Sequence, residues 1–383
     1  MKKVLILVHN LAIGGVSTSL INVSRLLVEY GCDVTVKTTS AIVDEQVLQR
    51  LNPNIHLEIM DEVRYPLFEK LPYFRNFCES GCWTLRSSAS KVYRHFVHKS
   101  ERDTYDVEMA FYFGRPVKAI CGSGNSHARK IMWIRLGLID GAFFPGFHTM
   151  EEARNGYNQY DKIIGVSEDV SANFIKFTGV DESKVVSVHN FLDRDNIDRC
   201  LQEECPLKKE HFTMACVCRL APIKNLMVLL HVIKRLQSEG MNCACWFVGD
   251  GPMRDEMEAY IRDNGLRNIV ITGFQKNPHK YVKKADLYVF PSLMEGYPNT
   301  LADSMYIGTP IVSSRCVGAP NILQDGKFGI LTEFDEESIY QGVRRMMADP
   351  VLYNSYKKIL AEHDFEADAV EIAKKLIDII VKE

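Results

Sequence analysis

The stretch V-F-P-S-L-M-E-G-Y-P-N-T-L-A-D-S-M, residues 289–305, predicts a strand, a turn and a helix in direct succession. Its apolar run ends at Pro291, and Gly296 with Pro298 turns the chain. A helical pattern then begins near Asn299. A buried strand that leads through a turn into a helix is the repeating unit of α/β proteins, so the stretch predicts that fold class.

Two carboxylates, Glu295 and Asp303, stand eight positions apart in this stretch. Glu295 falls in the turn, and Asp303 follows about one turn into the helix, at ~3.6 residues per turn. The unpaired amides of a first helical turn bind anions well, and carboxylates on either side can hold hydroxyl groups. The pattern suits a diphosphate flanked by two sugars; the alternative is a plain helix cap and a solvated acid.

Length and composition describe an ordinary soluble protein with two domains. The chain has 383 residues, more than one hydrophobic core usually serves. It is 46% hydrophobic and 25% charged, with a net charge of −3, which argues against nucleic-acid binding. No stretch of apolar residues is long enough to span a bilayer. The apolar start of the chain, residues 1–8, lacks a cleavage site and predicts a first buried strand.

The 11 cysteines show no regular metal spacing and indicate a reducing, cytoplasmic compartment. Cys216 and Cys218 alternate along one apolar run, and Cys243 and Cys245 along another. A C-x-C pair can ligate zinc, but no further pair completes four ligands. We therefore expect small buried side chains and no metal site.

The first half of the chain alternates predicted strands with helical stretches. A helical stretch over 17–27 follows a Gly-Gly loop. The predicted strands cover residues 3–8, 32–37, 107–113, 130–134, 162–166 and 185–188. Strands separated by helices predict a parallel, doubly wound sheet.

The same pattern restarts after a polar, linker-like segment at 191–210. A helical stretch is predicted at 226–236, and the predicted strands cover residues 213–220, 244–249, 269–273, 287–291 and 310–314. The expected domains are therefore 1–192 and 193–365, two Rossmann-like units facing each other across a cleft at their strand ends. The last segment, 366–383, has one apolar helical face and is expected to join the first domain.

Three further strand-to-helix turns are candidates for the rim of this cleft. Gly14 and Gly15 precede the first helix and permit close approach of a ligand; a structural tight turn is the alternative. Arg219 and Lys224 follow the strand at 213–220, where two cations suit a diphosphate; ordinary surface cations are the alternative. The turn Gly249 to Pro252 is expected only to shape the site.

At this point the chain resembles the retaining GT-B glycosyltransferases of family 4 (glycosyl transferases group 1), including enzymes of capsular and surface polysaccharide synthesis. The resemblance rests on C-R-L-A-P-I-K-N (218–225), F-V-G-D-G-P (247–252) and E-G-Y-P-N-T-L-A-D (295–303), the last similar to an E-x7-E signature. The stretch 273–292 also resembles the family, as do V-S-E-D-V (166–170) and V-H-N-F-L-D (188–193). The resemblance is strong from about 160 to 335 and thin from 38 to 160.

The resemblance implies a role for each matching residue. Arg219 and Lys224 would hold the donor diphosphate, Glu295 would contact the donor sugar, and Asp303 the ribose. The amides of Asn299, Thr300 and Leu301 would meet the distal phosphate, and Gly14 and Gly15 would approach from the other domain. Family members transfer sugar with retention and generally need no metal or cofactor, because cations and helix amides neutralise the leaving diphosphate.

Two positions depart from the family pattern. Asp303 stands where the signature has Glu, one methylene longer, so the ribose contact can be water-bridged. Arg135 stands at a strand end where many relatives have a His base. Arg135 is a candidate for an acceptor phosphate, with a structural ion pair as the alternative, and His148 is a nearby candidate on the acceptor side.

Residues 61–100 combine eight aromatic side chains with seven Lys or Arg and four acids. Such a surface suits the inner face of a membrane carrying a lipid-linked acceptor. The alternative is a helical pair that caps the first domain.

The sequence predicts a cytoplasmic glycosyltransferase acting on a nucleotide-diphosphate sugar, with UDP favoured. The acceptor is a glycan or polyprenyl-diphosphate-linked hydroxyl in surface polysaccharide synthesis. A sugar-nucleotide epimerase or phosphorylase on the same frame is the alternative among enzymes. A two-domain sugar-binding protein is the non-enzymatic alternative.

Overall fold

The computed structural model describes residues 1–59, 105–136, 147 and 149–382. The predicted membrane-facing segment 61–100 and His148 lie outside the described residues. The chain divides into two compact units. Unit 1 comprises Met1–Val166, Val170–Phe191 and Glu371–Glu383, and unit 2 comprises Ser167–Asp169 and Leu192–Val370.

The described residues of unit 1 form a parallel sheet of seven strands in the order β3-β2-β1-β4-β5-β6-β7. The strands are β1 Lys3–Val8, β2 Asp33–Thr38, β3 His56–Ile59, β4 Val107–Ala110, β5 Arg129–Ile134, β6 Lys162–Gly165 and β7 Val185–Ser187. Strand β1 is nearly all Val, Leu and Ile and is buried from Val4 onward, because helices cover both faces of a parallel sheet.

Unit 2 contains a second parallel sheet, of six strands in the order β10-β9-β8-β11-β12-β13. Its strands are β8 Phe212–Val217, β9 Cys243–Val248, β10 Ile269–Ile271, β11 Leu287–Phe290, β12 Ile311–Ser314 and β13 Ile330–Thr332. The prediction of two doubly wound α/β units is thereby confirmed. In each sheet the strand order reverses beside the first strand, between β1 and β4 and between β8 and β11.

Helices connect the strands in both units. Those in the first half are Gly15–Glu29, Glu45–Arg50, Arg115–Cys121, Met150–Tyr157 and Glu168–Thr178. Those that follow are Arg194–Cys200, Leu226–Ser238, Arg254–Asp263, His279–Lys284, Asn299–Ile307, Ala319–Ile322, Glu336–Ala348, Pro350–Glu362 and Phe365–Ile377. Short 3-10 turns lie at Glu182–Lys184, Pro222–Lys224 and Gln324–Gly326, and a π-helical turn follows at Asp378–Lys382. No helix in these described parts is both long and apolar enough to cross a membrane.

Three of the four cysteines of the two C-x-C pairs lie in the core of unit 2, and the fourth, Cys218, is half-buried against it. Cys216, Cys243 and Cys245 pack with Met214 and Phe247 on one face of the sheet. Burial raises the pKa of the Cys245 thiol well above its usual value, so it stays neutral. Their interpretation as small apolar core residues is confirmed.

The structure differs from the sequence prediction in two places. Strands β3 and β13 were not predicted; in β3, His56 and Glu58 alternate with the two apolar residues, so no continuous apolar run marks the strand. The segment predicted as a linker, 191–210, contains the helix Arg194–Cys200, which was not predicted. That helix buries only Ile197, too little apolar surface to leave a helical pattern in the sequence.

The apolar face predicted near the C-terminus is present and packed. Leu376, Ile377 and Ile380 are each no more than 4% exposed. Arg129 Nη1 donates to the carbonyl of Ile379, and Lys2 Nζ donates to the carbonyl of Val381. These contacts hold the terminal turn against the sheet of unit 1, beside the starts of β1 and β5.

Candidate active site

Two neighbouring strands of unit 2 place the candidate residues. Strands β8 and β11 pair in parallel, with Leu287 opposite Met214, and the strand order reverses between them. The turn after β8 carries Arg219 and Lys224, and the turn after β11 carries Glu295. In open α/β sheets ligands bind at the carboxyl ends of the strands at this reversal, so the sheet places these side chains where a ligand is expected.

Hydrogen bonds join the two turns directly. The Leu293 amide donates to the carbonyl of Ile223 at 2.9 Å, and Ser292 Oγ lies 3.3 Å from the same carbonyl oxygen. Ser314 Oγ, at the end of β12, donates to the carbonyl of Ser292. Because Ser292 is only 1% exposed, this network fixes the turn that carries Glu295 against the turn that carries Lys224.

Lys224 and Glu295 form an ion pair between these turns, from Nζ to Oε1. Their side chains are 19% and 17% exposed, so water screens the pair only in part. Ser292 Oγ also donates to Glu295 Oε1 at 2.8 Å, and Lys224 Nζ lies 5.8 Å from the centroid of the Phe290 ring. Residues singled out from two separate motifs are therefore in contact.

Arg219 differs from Lys224 in its surroundings. It is exposed, and within the described residues it has no hydrogen-bonding or ion-pair partner. A guanidinium of this kind keeps its full set of donors for an anion. Among the described residues the site thus combines Lys224, which is ion-paired, with Arg219, whose side chain has no hydrogen-bond or ion-pair partner.

The turn Gly249–Gly251 lies directly against the backbone that carries Arg219. The Leu220 amide donates to the carbonyl of Asp250 at 2.9 Å. A Cβ on Gly249 would lie 1.9 Å from the Cys218 carbonyl oxygen, and a Cβ on Gly251 would lie 2.4 Å from that of Leu220. Only glycine permits this approach, which agrees with the shaping role predicted for the turn.

The helix Asn299–Ile307 begins directly after Pro298, with no side-chain cap. The Leu301 amide donates to the Pro298 carbonyl at 2.9 Å, so it already has a partner. The predicted amide contacts to a phosphate therefore depend on Thr300 and Asn299. A Cβ on Gly318 would lie 2.7 Å from the Gly296 carbonyl oxygen, so Gly318 permits the close packing of this turn.

Asp303 has a partner that the sequence analysis missed. His279 Nε2 lies 3.3 Å from Asp303 Oδ2, and the two side chains are 14% and 23% exposed. Burial lowers the pKa of His279, but the Asp303 carboxylate, with a contribution from the neighbouring Cys200, outweighs it, and the net effect raises this pKa to about 9. The histidine precedes the aspartate by 24 positions, on the helix His279–Lys284, and no sequence signal pairs those two helices.

Gly14 and Gly15 lie in unit 1, after β1. Gly15 is the first residue of the helix Gly15–Glu29, and Ser17 Oγ donates to the carbonyl of Ala12 at 2.6 Å in the turn before it. No heavy atom lies within 4 Å of the position that a Cβ on Gly14 would occupy, so the backbone there is open to close approach. Their predicted role as a ligand loop stays a prediction.

Arg135, also in unit 1, follows β5 and is buried. Its Nη1 donates to Asn190 Oδ1 at 2.9 Å. The structural ion pair considered above is absent, since no carboxylate in the described part of the chain pairs with Arg135. The role of Arg135 is taken up below.

Comparisons with known proteins agree with this geometry. Residues 211–349 match the family described as "Glycosyl transferases group 1". The chain is 30% identical over 221 residues to the Campylobacter jejuni N-acetylgalactosamine-N,N'-diacetylbacillosaminyl-diphospho-undecaprenol 4-alpha-N-acetylgalactosaminyltransferase. That match covers 57% of this chain and 59% of the Campylobacter protein.

A second relative and a solved structure extend the comparison. The chain is 25% identical over 267 residues to the putative colanic acid biosynthesis glycosyltransferase WcaL of Escherichia coli, covering 61% of this chain and 63% of WcaL. The crystal structure of Anabaena Alr3699/HepE in complex with UDP superposes with a TM-score of 0.72 at 18% identity, covering 98% and 99% of the two chains. Residues 211–349 of this chain are therefore a glycosyl transferases group 1 domain, and its two parallel-sheet units are those of the GT-B fold.

Proposed function

We propose that this chain is a retaining, metal-independent glycosyltransferase that uses a nucleotide-diphosphate sugar, with UDP as the favoured nucleotide. The acceptor is a hydroxyl of a glycan, carried on a polyprenyl diphosphate, in surface polysaccharide synthesis. The reaction takes place in the cytoplasm, at or near the inner face of the membrane.

The Lys224–Glu295 ion pair carries the proposal. A lysine and a glutamate from different motifs meet at the strand reversal of unit 2, beside the start of the helix Asn299–Ile307. A sugar-binding site alone needs hydroxyl-binding groups, whereas this arrangement adds cations for a diphosphate. The pair lies within the segment that matches the glycosyltransferase family.

The donor's diphosphate is held by Arg219, Lys224 and the first amides of that helix. Arg219 supplies a planar fork, and Lys224 a point charge. As the sugar departs, negative charge grows on the leaving diphosphate, and these groups stabilise it. Glu295 is then placed to accept hydrogen bonds from the donor sugar.

Asp303 holds the ribose, and His279 sets its orientation. With a pKa of about 9 the imidazole is charged at neutral pH, so it donates to the carboxylate. No second carboxylate is needed on the other face of the sugar, because the departing diphosphate oxygen takes the acceptor's proton. The product then keeps the configuration of the donor.

The choice of donor and acceptor rests on the relatives. HepE was crystallised with UDP, and the Campylobacter protein's name describes a diphospho-undecaprenol acceptor. The name of WcaL places that relative in colanic acid synthesis, a surface polysaccharide. These similarities support a UDP-sugar and a lipid-linked acceptor for this chain.

Nucleotide release tests the proposal. The full chain is incubated with UDP- and GDP-sugars, with and without polyprenyl-diphosphate-linked saccharides, and free nucleotide is measured. We expect UDP release that depends on the acceptor and is lost in Glu295→Gln. Lys234→Ala serves as the control, because Lys234 is an exposed cation of the same unit whose hydrogen-bond partner, within the described part of the chain, is Asn264 alone.

Other outcomes would point to the competing functions. Inversion of the donor sugar without an acceptor would indicate an epimerase. Tight binding of a free sugar with no nucleotide binding would indicate a sugar-binding protein. A thermal-shift panel with UDP, GDP and ADP separates the nucleotides, because a ligand that binds only the folded chain raises its stability by about 2.7 kcal/mol at a hundredfold excess over Kd.

A further inference from the structure

A buried arginine stands at the carboxyl edge of the sheet in unit 1. Arg135 is the first residue after β5 and is 8% exposed. Its guanidinium carbon lies 4.1 Å from the centroid of the Phe111 ring and 4.7 Å from that of Trp133. The two rings pack edge to face at 5.1 Å, so the guanidinium rests on an aromatic platform formed at the ends of β4 and β5.

The guanidinium has a partner on one nitrogen only. Its Nη1 donates to Asn190 Oδ1 at 2.9 Å, and that oxygen also accepts a hydrogen bond from Ser19 Oγ at 3.0 Å. Nε and Nη2 are buried and have no hydrogen-bond acceptor among the described residues. The indole nitrogen of Trp133 is likewise a buried donor without an acceptor there.

The two unpartnered nitrogens of Arg135 lie on the same edge of the guanidinium. Their N–H groups point in nearly parallel directions, the geometry that binds two oxygens of one anion. Asn190 Oδ1 cannot serve them, because it already accepts from Ser19 and from Nη1. Among the described residues, this edge of the guanidinium therefore offers two donors suited to two oxygens of one anion.

Burial without a counterion is costly for this side chain. Burial lowers the pKa of Arg135 to about 9, and the neighbouring Tyr112 phenol raises it in part. The guanidinium is still charged at neutral pH. A buried cation whose N–H groups lack acceptors is stabilised when an anion binds to it. Such a side chain therefore suits a ligand-binding site better than a structural core.

We propose that Arg135, supported by Asn190 and Ser19, anchors a subsite that binds a phosphate group of the acceptor. The assignment to the acceptor rests on the proposed function, in which the donor's diphosphate occupies Arg219 and Lys224 in unit 2. UDP affinity, measured beside the phosphate probes, tests whether the anion at Arg135 is distinct from that diphosphate. A prenyl diphosphate and a free sugar phosphate share this chemistry.

Isothermal titration calorimetry on the full chain tests the subsite. The probes are farnesyl diphosphate, inorganic pyrophosphate and sodium acetate, and the variants are Arg135→Met and Arg135→Lys. Arg115→Met is the matched control, because Arg115 is an exposed arginine shortly after β4, at the same edge of the sheet. UDP affinity is measured on each protein as well.

We expect Arg135→Met to bind the phosphate probes at least about tenfold more weakly, since hydrogen bonds to a charged group are lost. Arg135→Lys keeps the charge but not the fork, and it should also weaken binding. Arg115→Met should bind like wild type, and UDP affinity should be unchanged in all variants. Stronger binding of farnesyl diphosphate than of pyrophosphate identifies a lipid-linked acceptor, and equal binding identifies a free phosphate.

Several results would overturn the subsite. Wild-type protein that binds neither phosphate probe, or binds acetate as tightly, removes the phosphate assignment. Unchanged probe affinity in Arg135→Met removes it too, and if that variant does not fold, unchanged affinity in Arg135→Lys does the same. If the phosphate probes bind but UDP does not, the subsite stands while the proposed glycosyltransferase function fails.

The melting temperature without ligand gives a second readout. Without a bound anion, the buried charge of Arg135 destabilises the wild-type protein, so Arg135→Met should be as stable as wild type or more stable. A lower melting temperature together with unchanged probe affinity would assign Arg135 to packing alone.

Discussion

Lys224 Nζ pairs with Glu295 Oε1 across the two strands, β8 and β11, between which the sheet of unit 2 reverses its order. The lysine is the residue expected to meet a diphosphate, and the glutamate is the one expected to meet a sugar. Without a donor each satisfies the other. Lysine has three N–H donors and the carboxylate has further acceptor sites, so each side chain keeps capacity for another partner.

The first prediction concerns this pair. Lys224→Met and Glu295→Gln should each destabilise unit 2, because each leaves a partly buried group without its partner. A double-mutant cycle by chemical denaturation should give a coupling of about 1–2 kcal/mol. Additive single-mutant effects would show that the interaction between the two side chains contributes nothing to stability.

The same variant should also affect activity. Lys224→Met should reduce turnover by about 100-fold or more, the usual cost of removing one group that stabilises the charge on a leaving group.

The second prediction separates Arg219 from Lys224. Arg219 is exposed and its side chain makes no hydrogen bond or ion pair within the described residues, so Arg219→Ala should change the free energy of unfolding by less than about 0.5 kcal/mol. UDP affinity should nevertheless fall about tenfold, as measured by calorimetry. Lys234→Ala, the exposed control, should leave both quantities unchanged. Wild-type UDP affinity in Arg219→Ala would exclude Arg219 from the diphosphate site.

The third prediction concerns pH and the His279–Asp303 pair. The pKa of His279 is raised from 6.5 to about 9 in the folded chain, where burial opposes the shift and the Asp303 carboxylate, with neighbouring Cys200, causes it. A raised pKa means that its contribution to stability is fully present below about pH 6.5 and is lost as the pH rises through about 9. The melting temperature of wild type should therefore fall across this window.

His279→Gln provides the control for this effect. Glutamine can still donate to Asp303 but does not titrate, so its melting temperature should change less between pH 6.5 and about 9 than that of wild type. If the melting temperatures of the two proteins changed equally with pH, the pKa assigned to His279 would be contradicted. If Asp303 holds a ribose, His279→Gln should raise KM for the donor more than it lowers kcat.

The fourth prediction tests the contact between the two glycine-rich turns. A Cβ on Gly251 would lie 2.4 Å from the Leu220 carbonyl oxygen, so Gly251→Ala must displace the turn beside Arg219. We expect a loss of about 2 kcal/mol or more in stability and weaker UDP binding. Gly240→Ala is the control, because Gly240 has φ +79° but no atom within 4 Å of its Cβ position. It should cost about 1–2 kcal/mol from backbone strain alone, without affecting UDP.

The strand predictions were good where burial leaves a continuous apolar run. Strand β1 was predicted at its observed bounds, and β11 and β12 were placed to within one residue. Strand β3 was missed because His56 and Glu58 interrupt its apolar residues, and β13 was missed as well. The helix Arg194–Cys200 was missed because its stability comes from one buried residue, Ile197, rather than from a repeating face.

The sequence by itself determined the alternation of strands and helices, the restart of that pattern after residue 210, and the strand-end positions of Arg219, Lys224 and Glu295. Local periodicity carries this information, because burial on a sheet or helix face repeats along the chain. Only the tertiary structure decided that β8 lies beside β11 and that His279 contacts Asp303. It also decided that Arg135 is buried with Nε and Nη2 lacking an acceptor among the described residues. Those facts depend on which distant segments pack together and how much water they exclude, and packing is a property of the whole fold rather than of any local stretch.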